Sequence, residues 1–144
     1  MSNDSTYPNI DQTIARYQEQ IQNFGLPCEP FTYENTQGLH FPFEFDKYTL
    51  SVYKDDCQFV MLRASYTLAD DKKGDRPILL EIANQVTSGC KASTVEITDE
   101  NDVVFLVEYF VNPDQDISPV LRRILNALQH AAKQFFKNLE EALE

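Results

Sequence analysis

The sequence has few of the residues on which common catalytic and cofactor sites depend. Only four glycines occur in 144 residues, and none stands near another. Phosphate-binding loops of the P-loop or dinucleotide type need grouped glycines, so the sequence excludes both. Its two histidines, His40 and His130, have no histidine or carboxylate at a spacing typical of metal ligands. We therefore expect no bound metal and no cofactor.

Cysteine is also scarce. Cys28, Cys57 and Cys90 are odd in number and far apart, and they form no C-x-x-C pair. This pattern favours reduced thiols over a disulfide framework or a zinc ribbon. The N-terminal stretch MSNDSTYPNIDQ has neither the basic nor the apolar region of a signal peptide, and no apolar run approaches the ~20 residues of a membrane span. These absences predict a cytoplasmic protein.

Positive charge is in short supply. Twelve lysines and arginines face twenty-three aspartates and glutamates, which gives a net charge of −11. That charge repels phosphate backbones and anionic lipid headgroups, so we expect neither nucleic acid nor a membrane surface as a partner. It favours a basic partner.

Recognisable catalytic motifs are missing as well. The sequence contains no G-x-S-x-G, and its paired carboxylates cluster in turns where solvation accounts for them. The acidic segments DDKKGD and DENDV do not match the spacing of a calcium-binding loop. Cys90 follows a predicted helix, and a helix C-terminus does not activate a thiol. We expect that the protein is not an enzyme.

What the sequence does contain is clear periodicity. Apolar residues recur at helical spacing near 9–24, 76–89 and 118–143, which predicts three amphipathic helices. Gly25 and Pro27 end the first helix, Asp75 caps the second, and Ser118 is predicted to cap the third.

Between the helices the apolar period changes to two. Alternation predicts five strands, at 39–45, 48–53, 57–68, 92–98 and 103–111. Pro42 cannot donate to a β-ladder, so its strand is expected at an edge or with a bulge. The resulting order, α-β-β-β-α-β-β-α, predicts one α+β domain over residues 1–144, with three helices on a mostly antiparallel five-stranded sheet.

The last helix carries an unusual charge pattern. Arg122 and Arg123 lie in its first turn, where they oppose the helix dipole. Pairing with Asp114 and Asp116 would explain them locally, and acidic groups on another chain would explain them functionally.

Two strands are apolar on both faces, whereas an antiparallel sheet usually keeps one face in water. We therefore predict that a second polypeptide covers part of the sheet and the middle helix. The candidate interface consists of one residue of the middle helix, three of the third strand and three of the fifth: Leu80, Phe59, Met61, Arg63, Val104, Leu106 and Phe110. The alternative is that the long last helix covers the fifth strand within one chain.

Three segments together resemble the YbjN-like family, whose fold is similar to that of type III secretion chaperones. They are FPFEFDKYTLSVYKDDCQFVMLRASYTL, RPILLEIANQVTSGCKASTVEITDENDVVFLVEYFV and SPVLRRILNALQHAAKQFFKNLEEAL, which cover most of the chain. The resemblance implies a homodimer without catalysis, and it supplies no catalytic residue.

Three functional hypotheses follow. The first is a non-enzymatic dimeric module, chaperone-like or regulatory, that holds a partner polypeptide on apolar sheet and helix surface. The second is a small-molecule-binding or enzymatic domain with a pocket between sheet and helices. It is disfavoured because inward positions are almost purely apolar, with Arg63 as the exception. The third is a structural subunit of a larger assembly.

Overall fold

The protein has an α+β fold, as predicted. The computed structural model describes residues 9–112 and 114–144. Three α-helices occur in this part of the chain: α1 (Ile10–Asn23), α2 (Arg76–Gly89) and α3 (Ser118–Ala142). The strands are β1 (Glu29–Tyr33), β2 (Thr36–Phe43), β3 (Asp46–Tyr53), β4 (Asp56–Tyr66), β5 (Thr94–Ile97) and β6 (Val103–Phe110). They form a sheet in the order β1-β2-β3-β4-β6-β5.

The sheet has one strand more than predicted. The sequence missed β1, which pairs antiparallel with β2 from Glu29 opposite His40 to Tyr33 opposite Thr36. Four of its five residues are exposed and only Phe31 is half-buried. A strand that buries so little has no apolar alternation, so the period-2 pattern cannot reveal it.

Two compact units make up the chain. The first comprises the chain up to Leu62 together with Glu108–Leu121, and the second comprises Arg63–Val107 and Arg122–Glu144. The prediction of one domain over residues 1–144 stays a prediction. Residues 1–8 belong to the N-terminal segment in which no signal peptide is expected, and they lie outside the described part of the chain.

In the first unit, α1 packs against β2 and β3. The helix begins with a capping box, in which the Asn9 side chain accepts from the Gln12 amide and the Gln12 side chain accepts from the Asn9 amide. It buries an apolar stripe that includes Tyr17 and Ile21. Gly25, with a φ of 96°, takes the left-handed conformation that was predicted for the end of this helix.

The hairpin of β2 and β3 buries one face of each strand. Leu39 lies opposite Leu50, and Phe41 lies opposite Tyr48, and all four are buried. The expectation that Pro42 marks an edge strand is wrong for β2 as a whole, because β1 flanks it. Pairing with β1 nevertheless stops at His40, so Pro42 lies beyond the end of its neighbour and removes no ladder donor there.

In the second unit, α2 packs against β5. Asp75 caps the helix as predicted, because its carboxylate accepts a hydrogen bond from the Ile78 amide at 3.2 Å. Four aromatic rings pack edge to face or tilted, with centroids 5.5 to 6.3 Å apart, a geometry that aromatic pairs prefer. They are Tyr66, Phe105, Phe135 and Phe136.

The start of α3 differs from the prediction in one detail. Ser118 is its first helical residue, and the carboxylate of Asp116 accepts a hydrogen bond from the Ser118 amide at 2.9 Å. This bond holds the pKa of Asp116 below its ordinary value. Asp116 thus fulfils the capping role that the sequence assigned to Ser118. No helix in the described ranges is long and apolar enough to cross a membrane.

Candidate functional site

The seven predicted interface residues fall into both units. Phe59, Met61 and Phe110 belong to the first unit, whereas the other four belong to the second: Arg63, Leu80, Val104 and Leu106.

In the first unit, Phe59 and Phe110 lie within a row of aromatic side chains. The ring of Phe59 is 5.3 Å from that of Phe110 and 6.0 Å from that of Tyr53, measured between centroids. Tyr53 is paired across the ladder with Thr36, and Thr36 is paired with Tyr33. Tyr33, Tyr53, Phe59 and Phe110, here called the aromatic row, thus run along one side of the sheet.

The aromatic row lies on the face of the sheet that α1 does not cover. Thr36 and Tyr53 have the opposite parity to Leu39 and Leu50, which are buried on the face where α1 packs. Tyr33 and Phe110 are 67% and 71% exposed, and Tyr53 and Phe59 are half-buried. Met61, on the same parity of β4 as Phe59, is also half-buried. Four aromatic residues on one face, two of them largely exposed, form an uncommon surface for an isolated chain.

Sequence reasoning missed half of this row. Tyr33 lies in the strand that was not predicted, and Tyr53 occupies the polar parity of its strand. An aromatic residue among threonine and serine on that parity was the available signal. Its connection to Phe59 depends on strand pairing, which no local pattern shows.

Acidic side chains lie in the turns beside the aromatic row. Glu34 follows Tyr33 directly, Asp55 and Asp56 lie between Tyr53 and Phe59, and all three are exposed. The two turns are tied together, because the Lys54 amide donates to the Asn35 carbonyl at 2.9 Å and the Asn35 side chain donates to Asp55 at 3.4 Å. Glu108 is exposed two residues before Phe110. The row therefore has a negatively charged border.

A second feature of the same face is a close aromatic contact over a glycine. The rings of Phe31 and His40 are stacked at 4.4 Å with an angle of 17° between their planes. Phe31 lies opposite Gly38, where a Cβ atom would overlap its ring and the Leu50 carbonyl. His40 Nδ1 lies 3.0 Å from Thr49 Oγ1. His40 is thus locally paired.

A pocket of about 470 Å³ lies next to this contact, and it includes Cys28, Glu29, His40 and Lys47 in its lining. A thiol beside an imidazole could be a nucleophile if it ionised. Burial instead raises the pKa of Cys28 to about 11, so the thiol stays protonated at neutral pH. The pocket therefore lacks an activated nucleophile. Within the described ranges, no three His, Cys, Asp or Glu side chains are grouped to hold a metal ion.

Beneath α1, the first unit contains buried polar groups that have no catalytic geometry. The Arg16 guanidinium lies 5.1 Å from the centre of the Tyr17 ring. Burial raises the pKa of Tyr17, and the neighbouring Arg16 only partly opposes this effect. Burial also raises the pKa of Tyr109. Both phenols are therefore neutral near pH 7.

In the second unit, Leu80 is 45% exposed and lines a groove between α2 and β5. The groove has a volume of about 410 Å³ and continues along Thr94–Ile97. The Thr87 hydroxyl at its base accepts a hydrogen bond from the Val95 amide at 2.9 Å. Since β5 ends the strand order, its outer edge has no ladder partner in the described sheet.

For Leu106 the prediction of an outward-facing side chain is wrong. Leu106 is only 4% exposed, Val104 is half-buried, and Arg63 is also half-buried. The strand β6 is therefore covered on both of its faces over this part, within the chain itself. The alternation of apolar residues showed that β6 has two apolar faces. It could not show whether the same chain or a partner chain covers the second face.

Comparison with known proteins reveals similarity of fold at low identity. No family model matches the chain, and no curated protein matches it. An uncharacterised protein from Methanothermobacter thermautotrophicus has a similar structure, with a TM-score of 0.67 and 10% identity over 92% of this chain and 99% of the other. YbjN from E. coli, provisionally described as a transcription regulator, superposes with a TM-score of 0.52 and 11% identity over 94% of this chain and 91% of YbjN. The fold is therefore YbjN-like, as the sequence resemblance indicated.

Proposed function

We propose that this protein is a non-enzymatic module that binds another polypeptide on the aromatic row. The observation that carries the proposal is the exposure of Phe110, at one end of three aromatic rings in contact, and of Tyr33, which lies beyond Thr36 on the same face. Aromatic side chains supply large contact areas and are enriched at the centres of protein interfaces.

The proposed occupant is a segment that combines apolar with basic side chains. Glu34, Asp55, Asp56 and Glu108 border the row, and the whole chain carries a net charge of −11. Complementary charge accelerates encounter and fixes register, while like charges facing each other are unfavourable. The same argument disfavours a second copy of this chain on the row, because two acidic borders would then meet.

Binding of defined peptides tests this proposal. Fluorescence anisotropy would compare a peptide of alternating lysine and aromatic residues with one in which every lysine is glutamate. We expect saturable binding of the basic peptide, at least tenfold weaker binding by Phe110→Ser, and weakening at higher salt. Leu143→Ser, which changes an exposed leucine at the end of α3, is the matched control. Equal binding by Phe110→Ser and wild type would refute the assignment of the row.

We further propose that the protein forms a homodimer through the free edge of β5 and the adjacent groove. An unpaired edge can accept a strand from another chain. The Val95 amide already donates to Thr87 Oγ1, so a second copy would contact the groove and the side chains of Thr94 and Glu96 rather than form a ladder centred on Val95. Leu80, which borders the groove, would then lie near the second copy.

Light scattering distinguishes the possibilities. A monomer of 16.6 kDa would double in mass on dimer formation, and Leu80→Glu is expected to restore the monomer. Glu81→Lys, an exposed change outside the groove, should leave the dimer intact. A wild-type monomer at all concentrations would exclude the dimer but would leave peptide binding by the first unit unaffected. Location in the cytoplasm stays a prediction.

A further inference from the structure

A small surface pocket in the second unit is lined by basic side chains. Lys91 from the loop after α2 and Arg123 and His130 from α3 contribute to it, together with Asn126 and Cys90. Its volume is about 420 Å³. No aspartate or glutamate lines it, although acidic residues outnumber basic ones by twenty-three to twelve in the chain.

The helical repeat explains why these residues converge. Arg123, Asn126 and His130 are separated by three and four residues, so they project from one face of α3. The facing loop is held in a tight turn, since the Ser93 amide donates to the Lys91 carbonyl at 2.7 Å. Ala92 within it has a φ of 62°, a conformation that residues other than glycine adopt infrequently. Lys91 is thereby placed opposite the basic face of α3.

The basic residues of the pocket are not used to balance acidic groups elsewhere. Lys73, by contrast, pairs with Asp102 at 3.1 Å in the same unit. In the part of the chain that the structure describes, Lys91, Arg123 and His130 make no such ion pair. Asp116, one of the two local partners that the sequence suggested for the arginines of α3, instead accepts from the Ser118 amide. The C-terminal end of α2 supplies only partial negative charge to this region.

We propose that the pocket binds a small anion with two or more negative charges, a phosphate monoester or a dicarboxylate. A guanidinium donates two parallel hydrogen bonds to either group, and a lysine ammonium adds a point charge. The Asn126 amide and the His130 ring supply further donors. This proposal also accounts for Arg123 in the first turns of α3, where the helix dipole disfavours a cation. It is independent of the aromatic row, which belongs to the first unit.

Titration followed by two-dimensional NMR tests the proposal. Inorganic phosphate and succinate would be added separately at constant ionic strength. We expect saturable shifts of the amide signals of Lys91 and of residues 123–130 for at least one of the two anions. Shifts with phosphate alone would assign a phosphate site, and shifts with succinate alone would assign a dicarboxylate site. Absence of saturable shifts with both anions would overturn the proposal.

Two substitutions separate this pocket from a general electrostatic effect. Arg123→Gln and Lys91→Gln should each weaken binding by at least fivefold. Arg122→Gln removes the same charge one residue away and does not alter the lining, so it should change binding by less than twofold. Equal weakening by Arg122→Gln and Arg123→Gln would show that net charge alone attracts the anion, and would contradict the proposal. Unchanged signals outside the pocket establish that each variant is folded.

Discussion

The two units of the chain achieve order in different ways. In the first unit, neighbouring strands are joined by short turns and bury alternating residues, such as Leu39 opposite Leu50. In the second unit, two loops distant in sequence are joined by side chains. The Arg76 guanidinium donates to the Thr98 carbonyl at 2.7 Å and to the Asn101 side chain at 2.6 Å, and Asn101 donates to the Lys73 carbonyl at 2.7 Å.

Asp102 completes this set of contacts. Its carboxylate accepts from the Leu68 amide at 3.0 Å and pairs with Lys73 at 3.1 Å. The hydrogen bond from Leu68, and after it the one from Lys73, holds the pKa of Asp102 below its ordinary value. Local apolar alternation is therefore sufficient to form the antiparallel strands of the first unit. The turn between β5 and β6 instead depends on polar contacts between residues more than twenty positions apart in the sequence.

The largest effect is expected from truncation in the core of the first unit. Leu50 is completely buried, so Leu50→Ala should lower the free energy of unfolding by about 2–5 kcal/mol through lost transfer energy and a residual cavity. Urea denaturation measures the change. Leu143→Ala, at an exposed position directly after α3, serves as the control and should change stability by no more than about 0.5 kcal/mol. Comparable losses in the two variants would contradict the assigned core.

Gly38→Ala tests the close packing on the other face of the same hairpin. The added Cβ would overlap the Leu50 carbonyl and the Phe31 ring, so we expect a loss of about 1–3 kcal/mol. Gly74→Ala, where a Cβ meets no atom within 4 Å, is the matched control. Thermal unfolding of both variants measures the difference in stability between them. An equal melting temperature for the two would be inconsistent with the close contact of Gly38 with Leu50 and Phe31.

In the second unit, Asn101→Ala should remove the central member of the polar contacts. Loss of its hydrogen bonds leaves the Lys73 carbonyl without the Asn101 donor and the Arg76 guanidinium with the Thr98 carbonyl as its remaining acceptor, at a cost of about 1–3 kcal/mol. Since Asn101 has a φ of 61°, part of this cost would be backbone strain. Asn101→Gly removes the side chain and tolerates that φ, so the difference between the two variants measures the strain. Full stability of Asn101→Gly would mean that the hydrogen bonds contribute nothing.

An alkaline pH should lower the stability of the protein through the buried phenol of Tyr109 in the first unit. The pKa of Tyr109 is raised in the folded state, so its contribution is fully present below the unfolded pKa of about 10 and is lost as the pH rises through the folded value. Above about pH 10 we expect stability to decline less steeply in Tyr109→Phe than in the wild type. The exposed Tyr33→Phe is the control. Parallel stability curves for wild type and Tyr109→Phe between pH 9 and 11 would argue against a buried, neutral phenol.

The smallest effect on stability is expected at the exposed end of the aromatic row. Phe110 is 71% exposed, so Phe110→Ser should change the free energy of unfolding by no more than about 0.5 kcal/mol. The same substitution is expected to weaken peptide binding at least tenfold. A large loss of stability would show that Phe110 contributes to the core, and it would contradict the assignment of this side chain to the surface.

Much of the secondary structure could be predicted because its cause is local. All three α-helices lie within a residue or two of the predicted bounds. The strand β1 could not be predicted, since it buries almost nothing and is held by hydrogen bonds to β2. The burial of Leu106 within the chain could not be predicted either, because the alternation of apolar residues does not show what covers each face of a strand.

The order of helices and predicted strands follows from the positions at which the apolar period changes between 3.6 and 2, and these positions can be read from the sequence alone. Periodicity is set by neighbours a few residues apart, so it survives in the sequence as a visible pattern. The aromatic row of Tyr33, Tyr53, Phe59 and Phe110 and the placement of Lys91 opposite Arg123 and His130 arise from the folded arrangement of strands and helices. Such groups combine residues far apart in the chain, and strand pairing and helix packing alone bring them together.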